Sequence, residues 1–156
     1  MGEVDFFNIN PDIKKEPSLE EKFITEREEW NKRVEDMSSK MKSVLKVSEL
    51  MTEVYTERQI CIEYYHYLLS KLIIINKEYR RQYVEKYEYW TYKSNIRYPN
   101  ETSKNNKIQT QLSDLLEKRE ILDNHSKFIQ GTCSTIDNLI YAIPKRIEIE
   151  QITRGK

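Results

Sequence analysis

Residues 18–98 contain neither glycine nor proline, and this uninterrupted run constrains the fold more than any other feature of the chain. A β-sandwich or barrel needs turn residues every 8 to 12 positions or so, and a nucleotide-binding α/β fold needs a glycine-rich loop after a strand. The 3 glycines stand at positions 2, 131 and 155 and supply neither. The sequence therefore predicts an all-α fold built from long helices.

The helical region has a recognisable beginning. Ser18 followed by Glu21 forms a capping box, in which the hydroxyl and the carboxylate satisfy free amide donors at a helix start. We expect one long helical region over residues 18–98, with a break near Ser38 or Ser48 left open because serine competes for backbone hydrogen bonds. Residues 1–17 lack apolar periodicity and carry an excess of acidic residues, which predicts a flexible acidic arm.

Apolar residues recur every seven positions, as in the a/d pattern of coiled coils. Trp30, Met37, Val44 and Met51 begin the pattern, and Ile62, Tyr65 and Leu69 continue it. A polar stretch predicts a loop over residues 99–106, and the strictest heptads follow it, over residues 107–156. These features predict a helical hairpin or bundle with a C-terminal coiled-coil-like oligomerisation helix and tail, assembled through Ile108, Leu112, Leu115, Leu122, Ile129, Cys133, Ile136 and Ile140.

Two residues weaken the C-terminal helix. Gly131 costs about 1 kcal/mol relative to alanine, and Pro144 removes a backbone donor. We expect a kink or a stop at Pro144, and the segment that follows, residues 147–154, is compatible with a helix or an extended tail.

The net charge of zero hides an asymmetry. Residues 1–30 carry 4 basic and 9 acidic groups, whereas residues 71–98 carry 7 basic and 3 acidic groups. Within residues 77–97, tyrosines and a tryptophan fall on one helix face and basic residues border it. Cations follow phosphates and rings stack on unpaired bases, so this segment is a candidate site for single-stranded nucleic acid, with Lys77, Arg80, Arg81, Tyr83, Lys86, Tyr87, Trp90, Lys93 and Arg97 as the candidate binding residues.

The same pattern has a plainer interpretation. An aromatic stripe at helical spacing is often part of a core, with lysine and arginine stems lying along its edges. Spacing alone leaves both interpretations open.

Catalytic signals are absent from the sequence. Glu63 and His66 have the Glu-x-x-His spacing of di-iron bundles, but His125 lacks a matching glutamate. No nucleophile, zinc or P-loop motif occurs, so we predict neither an enzyme nor a metal or other cofactor. Cys61 and Cys133 read as free thiols, and the longest aliphatic run, Leu72 to Ile75, is far below the ~18 residues of a spanning helix, which predicts a cytoplasmic protein that is neither secreted nor in a membrane.

Several short motifs resemble the UvsY family, the recombination mediator proteins of tailed phages. They comprise the runs 77–81 and 87–93, Cys133-Ser134, residues 136–139, Arg146 and the ending Arg154-Gly155-Lys156, and the likeness covers roughly residues 60–156. Tyr92 stands where related proteins carry glycine, and Val84 stands at one of their basic positions.

The resemblance implies an all-α, ring-forming homo-oligomer in the cytoplasm of the phage's host. Such a protein binds single-stranded DNA and helps a RecA-like recombinase displace the single-strand-binding protein. The alternative is a structural coiled-coil protein, such as a virion or scaffold component, without nucleic-acid binding. A helical nuclease or metal enzyme is a distant third.

Overall fold

The computed structural model describes residues 16–42 and 47–155. Helices are the only regular secondary structure in these ranges, which confirms the all-α fold class. None of them combines the length and the apolar character needed to cross a bilayer. The predicted acidic arm lies outside the described residues, apart from Glu16 and Pro17. The elements are α1 (Leu19–Lys40), α2 (Val47–Glu88), a π-helical turn (Tyr89–Lys93), α3 (Glu101–Gln111) and α4 (Ser113–Arg154).

The start of α1 is the predicted capping box. The Ser18 hydroxyl oxygen accepts a hydrogen bond from the Glu21 amide at 3.2 Å, and the Ser18 amide donates to Glu21 Oε2 at 2.7 Å. Two of the free amides at the helix end are thereby satisfied. Helix α1 ends at Lys40 and α2 begins at Val47, so the region is two helices whose ends lie near Ser38 and Ser48, where a break was left open.

Helices α2 and α4 lie antiparallel, and α1 lies antiparallel to α2 against the same pair. Cys61 of α2 donates a weak hydrogen bond to the carbonyl of Ile129 of α4 at 3.6 Å. On α1, Lys40 pairs with Glu53 at 2.8 Å, near the start of α2, and Arg33 pairs with Glu57 at 3.1 Å, one turn further along. The result is an up-down-up three-helix bundle.

Each helix of the bundle buries a line of residues spaced seven apart, here called the seam. Helical side chains seven residues apart lie on one face, so three such lines meet in a continuous core of the kind found in coiled coils. The exposed fraction is 7% or less throughout. The seam consists of Phe23, Trp30 and Met37 on α1, Val47, Val54, Cys61 and Leu68 on α2, and Leu122, Ile129, Ile136 and Ile143 on α4.

Several of the predicted oligomerisation residues are buried within one chain. Ile129 and Ile136 are 0% exposed in a single chain because α2 of the same chain covers them. Ile108, Leu112 and Leu122 are also buried, and Leu115, Cys133 and Ile140 are partly buried. The heptads form a packing surface within one chain, and assembly through these residues stays a prediction.

The predicted phase of α2 is also wrong. We expected the pattern of Trp30 and Met37 to run on through Met51 to Ile62 and Leu69, yet Met51, Ile62 and Leu69 are only partly buried. The interruption before Val47 resets the phase, so that Val54 and Cys61 face the core instead. Val44 lies outside the described residues.

The predicted loop is displaced toward the N-terminus. Residues 94–100 connect the π-helical turn to α3, while residues 101–106 are helical. Asn100 is the reason, because its side chain accepts a hydrogen bond from the Ser103 amide at 2.8 Å and caps α3. Helix α3 meets α4 at Leu112, which is 2% exposed.

Proline does not end the last helix. Pro144 lies inside α4, which continues to Arg154. Of the two predicted alternatives at Pro144, a kink or a stop, the stop is wrong, and residues 147–154 are helical rather than an extended tail. The Pro144 side chain is exposed, which lets the ring face solvent rather than the seam. Gly131 is likewise a helical residue, with open space where a side chain would stand.

Candidate nucleic-acid interface

The candidate binding residues lie at one end of the molecule, on the last three turns of α2 or so and beyond it. The π-helical turn Tyr89–Lys93 is closed by a hydrogen bond of 2.9 Å from the Ser94 amide to the Tyr89 carbonyl, which spans five residues. Such wider turns often occur at functional sites. We call the π-helical turn and residues 94–100 the tip.

The aromatic stripe of α2 packs against α3. The rings of Tyr79, Tyr83 and Tyr87 follow one another along the helix with centroids 6.0 and 6.3 Å apart. Two of them bond to α3: the Tyr83 hydroxyl donates to Asn105 Oδ1 at 2.9 Å and the Tyr87 hydroxyl to Glu101 Oε2 at 3.3 Å. The stripe is therefore a helix–helix contact rather than an open platform.

Trp90 belongs to the same contact. Its indole Nε1 donates to Gln111 Oε1 at 3.1 Å, and its ring meets Tyr98 edge-on with centroids 5.6 Å apart. Trp90 is only partly buried, so part of its surface still faces solvent.

Lys104 of α3 fixes the contact between α3 and the tip. It is 7% exposed, and its Nζ lies 4.1 Å from the centroid of the Tyr87 ring. The same nitrogen donates to Thr91 Oγ1 at 2.9 Å and to Glu101 Oε1 at 2.8 Å. The hydrogen bond to Glu101 raises the pKa of Lys104 and, in return, lowers the pKa of Glu101, so both groups stay charged at neutral pH.

The predicted basic residues divide into two groups. Arg81 is bound by Glu78 at 2.6 Å and Glu85 at 2.7 Å, and the hydrogen bond from Arg81, followed by one from Gln82, lowers the pKa of Glu78 to about 2. The charge of Arg81 is therefore compensated locally. The other five make no ion pair within the part of the chain that the structure describes, and all but the half-buried Lys86 are exposed: Lys77, Arg80, Lys86, Lys93 and Arg97.

Two aromatic residues that the sequence interpretation left out are the most accessible rings of this region. Tyr92 is 79% exposed and Tyr89 is 49% exposed, whereas Tyr83 and Tyr87 are partly buried. The helix face on which the rings of Tyr79, Tyr83 and Tyr87 coincide is the face that packs inward. A ring available for stacking lies off that face, next to cations, and Tyr92 beside Lys93 meets that condition.

The tip also encloses a pocket of about 390 Å³ between the π-helical turn and the start of α3. Its volume lies within the range common for ligand sites, roughly 300 to 1,000 Å³. Rings, a guanidinium, an ammonium group, a carboxylate and polar groups line it: Trp90, Thr91, Arg97, Tyr98, Pro99, Asn100, Glu101 and Lys104. An exposed tyrosine, unpaired cations and this pocket form a surface that can hold phosphates and stack bases.

A second polar cluster lies away from the tip, where α1, α2 and α4 meet. His125 of α4 is 0% exposed and stacks on Phe23 with centroids 3.9 Å apart. Arg27 Nε lies 3.4 Å from His125 Nδ1, and Glu26 Oε2 lies 2.9 Å from Nε2. Since Arg27 only donates, Nδ1 accepts, and the neutral imidazole carries its proton on Nε2 and donates it to Glu26. Glu26 also accepts a hydrogen bond from the Tyr64 hydroxyl.

Burial governs the ionisation of this cluster. Desolvation lowers the pKa of His125, and it outweighs the opposite effect of Glu26. Desolvation likewise raises the pKa of Tyr64. The cluster is a hydrogen-bonded connection between three helices with a neutral imidazole at its centre. Within residues 16–42 and 47–155 no three potential metal ligands come together.

Comparisons with known proteins add no relative from which a role can be transferred. No family model matches the chain, no curated protein matches it, and no solved structure matches it. A function therefore has to be inferred from the geometry of the tip and from the sequence motifs.

Proposed function

We propose that this protein is a single-stranded DNA-binding recombination mediator, which helps load a RecA-like recombinase onto DNA coated with single-strand-binding protein. The observation that carries the DNA-binding part is the exposed ring of Tyr92 beside Lys93 on the tip. The resemblance to the UvsY family supports the mediator part. In this proposal the protein acts by binding and carries out no catalysis.

The proposed interface differs from the one predicted by spacing. Lys93, Arg97 and Arg80 contact phosphates, because they are exposed and no carboxylate pairs with them among the described residues. Tyr92 and Tyr89 stack on bases, while Tyr83 and Tyr87 hold α3 in place. Phosphate contacts give affinity that falls with salt, and stacking gives affinity that does not.

Titration of a labelled oligo-dT by fluorescence anisotropy tests the DNA-binding part. Tyr92→Ala should weaken binding by about 1–3 kcal/mol, the usual value for one stacked base. Tyr141→Ala is the matched control, because Tyr141 is 74% exposed but lies on α4 within the three-helix bundle, away from the tip. Equal losses in both variants would remove Tyr92 from the interface.

The mediator part needs a functional assay. On single strands coated with the single-strand-binding protein, the wild-type chain should shorten the lag before a RecA-like recombinase forms filaments, and Tyr92→Ala should restore the lag. If the chain binds DNA but leaves the lag unchanged, the DNA-binding part of the proposal stands and the mediator part is wrong.

A structural role without nucleic acid is the second candidate, and one observation favours it. The aromatic stripe is engaged by α3 through Tyr83 and Tyr87, as the core interpretation expected. Absence of oligo-dT binding at low salt by a folded chain would select this role.

Both candidate functions involve self-assembly of the chain. The ring-forming homo-oligomer implied by the resemblance would need a surface other than the seam, such as the exposed apolar residues Ile73, Ile74, Ile149 and Ile152. Light scattering coupled to gel filtration measures the subunit number directly.

A further inference from the structure

An apolar groove lies along the first two turns of α1. It encloses about 380 Å³ between α1 and α2 and reaches Leu122 of α4. Phe23 and Leu68 form its floor, and Leu19 and Tyr67 form its open edge. Leu19 is 38% exposed and Tyr67 is 53% exposed, so apolar surface continues from the buried core to solvent.

Two lysines border this groove. Lys22 of α1 and Lys71 of α2 line it, and Lys71 Nζ lies 5.1 Å from the centroid of the Tyr67 ring. Neither lysine forms an ion pair within the described ranges. The carboxylate of Glu26, also in the lining, is engaged by Tyr64 and His125. An apolar groove with a basic border suits an acidic peptide that carries aromatic side chains.

This chain contains such a peptide directly before the groove. The described chain enters α1 through residues 16–18, and Leu19, the first residue of the helix, lines the groove. Residues 1–15 precede that point and contain Phe6 and Phe7 next to Glu3 and Asp5, with no basic side chain before Lys14.

We propose that residues 3–9 of the same chain dock in this groove. Phe6 and Phe7 then cover Leu19 and Tyr67, and Asp5 lies near Lys71. The linker of residues 10–18 spans up to about 30 Å when extended, against about 10 Å for the two helical turns of the groove. Attachment to α1 keeps the local concentration of the peptide high, which favours this occupant over a separate molecule. The inference is independent of DNA binding.

Site-specific photo-crosslinking in the full chain tests the docking. A benzophenone amino acid placed at Phe7 should crosslink to α1 or α2 residues of the groove within one chain, as read by mass spectrometry. The same probe at Asn10, which is not among the docked residues, is the control and should label the groove much less. A crosslink that joins two chains, or one located outside the groove, overturns the proposal.

Charge reversal provides a second, independent measurement. Lys71→Glu should lower the yield of the Phe7 crosslink about two- to five-fold, as expected for one exposed ion pair. Adding Asp5→Lys to that variant should restore the yield, because the pair then exists with its signs exchanged. Lys118→Glu, an exposed lysine outside the groove, is the matched control. An unchanged yield in Lys71→Glu, or no recovery in the double variant, contradicts the assigned contact.

Discussion

The three-helix bundle differs from the tip region, which comprises the tip, α3 and the end of α2, in the forces that hold it together. In the bundle, the seam buries apolar side chains such as Val54, Ile129 and Ile136 to 0% exposure. In the tip region, hydrogen bonds from Tyr83 and Tyr87 of α2 and from Trp90 of the π-helical turn hold α3, beside the buried side chain of Ile108. Burial of one large aliphatic side chain contributes about 1.5–3 kcal/mol, whereas one hydrogen bond contributes about 0.5–1.5 kcal/mol. The bundle therefore provides the stability of the fold, and the tip region provides an adaptable surface.

The largest expected effect is a charge placed in the seam. Ile129→Asp puts a carboxylate at a fully buried position, and we expect a loss of about 4 kcal/mol or more in the free energy of unfolding, enough to unfold many domains of this size. Urea unfolding followed by circular dichroism measures it. Gln130→Asp, at the exposed neighbouring position, should change stability by about 0.5 kcal/mol or less. If the Ile129→Asp chain stays folded and only its subunit number changes, the seam is an interface between copies of the chain.

Acid should weaken the bundle before it affects the tip. The folded state holds the pKa of His125 below its usual 6.5, so between those two values the unfolded chain binds more protons. Stability is therefore fully present above about pH 6.5 and decreases as the pH falls below it, by at most about 1.4 kcal/mol per pH unit for one group. A proton on His125 Nδ1 would also be repelled by the positive charge of Arg27, although the charged imidazole would form an ion pair with Glu26.

Urea unfolding at a series of pH values measures this dependence. His125→Gln should flatten the curve between pH 7 and 5, and His66→Gln, which changes an exposed histidine, should keep the wild-type slope. If the two variants have identical slopes, the buried cluster is not the source of the pH dependence.

The difference between the bundle and the tip region also explains which features of the fold the sequence predicted and which it did not. Ser18 and Glu21 specify the start of α1 through local chemistry, and the heptads of α4 remain in phase because no interruption separates Leu122 from Ile143. The phase of α2 depends on how the chain turns between Lys40 and Val47, and periodicity across a break carries no information about that turn.

The tip region was harder to predict because its helices are defined by polar contacts. Asn105 and Asn106 are weak helix formers, yet α3 forms because Asn100 caps it and Lys104 and Ile108 are buried against α2 and its turn. Tyr92 was passed over because it lies off the aromatic face. Its 79% exposure depends on the packing of α3 and the tip, which spacing along the sequence does not reveal.

Loss of a single hydrogen bond should distinguish the tip region from the bundle. Tyr83→Phe removes the bond to Asn105, and we expect a loss of about 1 kcal/mol in the docking of α3. Hydrogen exchange should then rise about five-fold in the α3 amides and remain unchanged at Val54 and Ile129 of the seam. Tyr89→Phe is the control, because no described residue accepts a hydrogen bond from the Tyr89 hydroxyl. Faster exchange along the whole of α2 and α4 would mean that the two regions open together and that the contrast between them is wrong.

The smallest expected effect separates two neighbouring arginines. Arg80 and Arg81 are adjacent and both exposed, but only Arg81 is held by carboxylates, those of Glu78 and Glu85. Because the pKa of Glu78 is about 2, its carboxylate is ionised throughout the neutral range and continues to occupy Arg81. A phosphate gained by Arg81 would therefore replace a carboxylate, while a phosphate gained by Arg80 would replace only water and a counterion. Arg80→Ala should lower the slope of log affinity for oligo-dT against log salt by about 0.7, and Arg81→Ala should lower it by much less. Equal changes in both slopes would show that the intrahelical ion pairs do not select which cations meet the DNA.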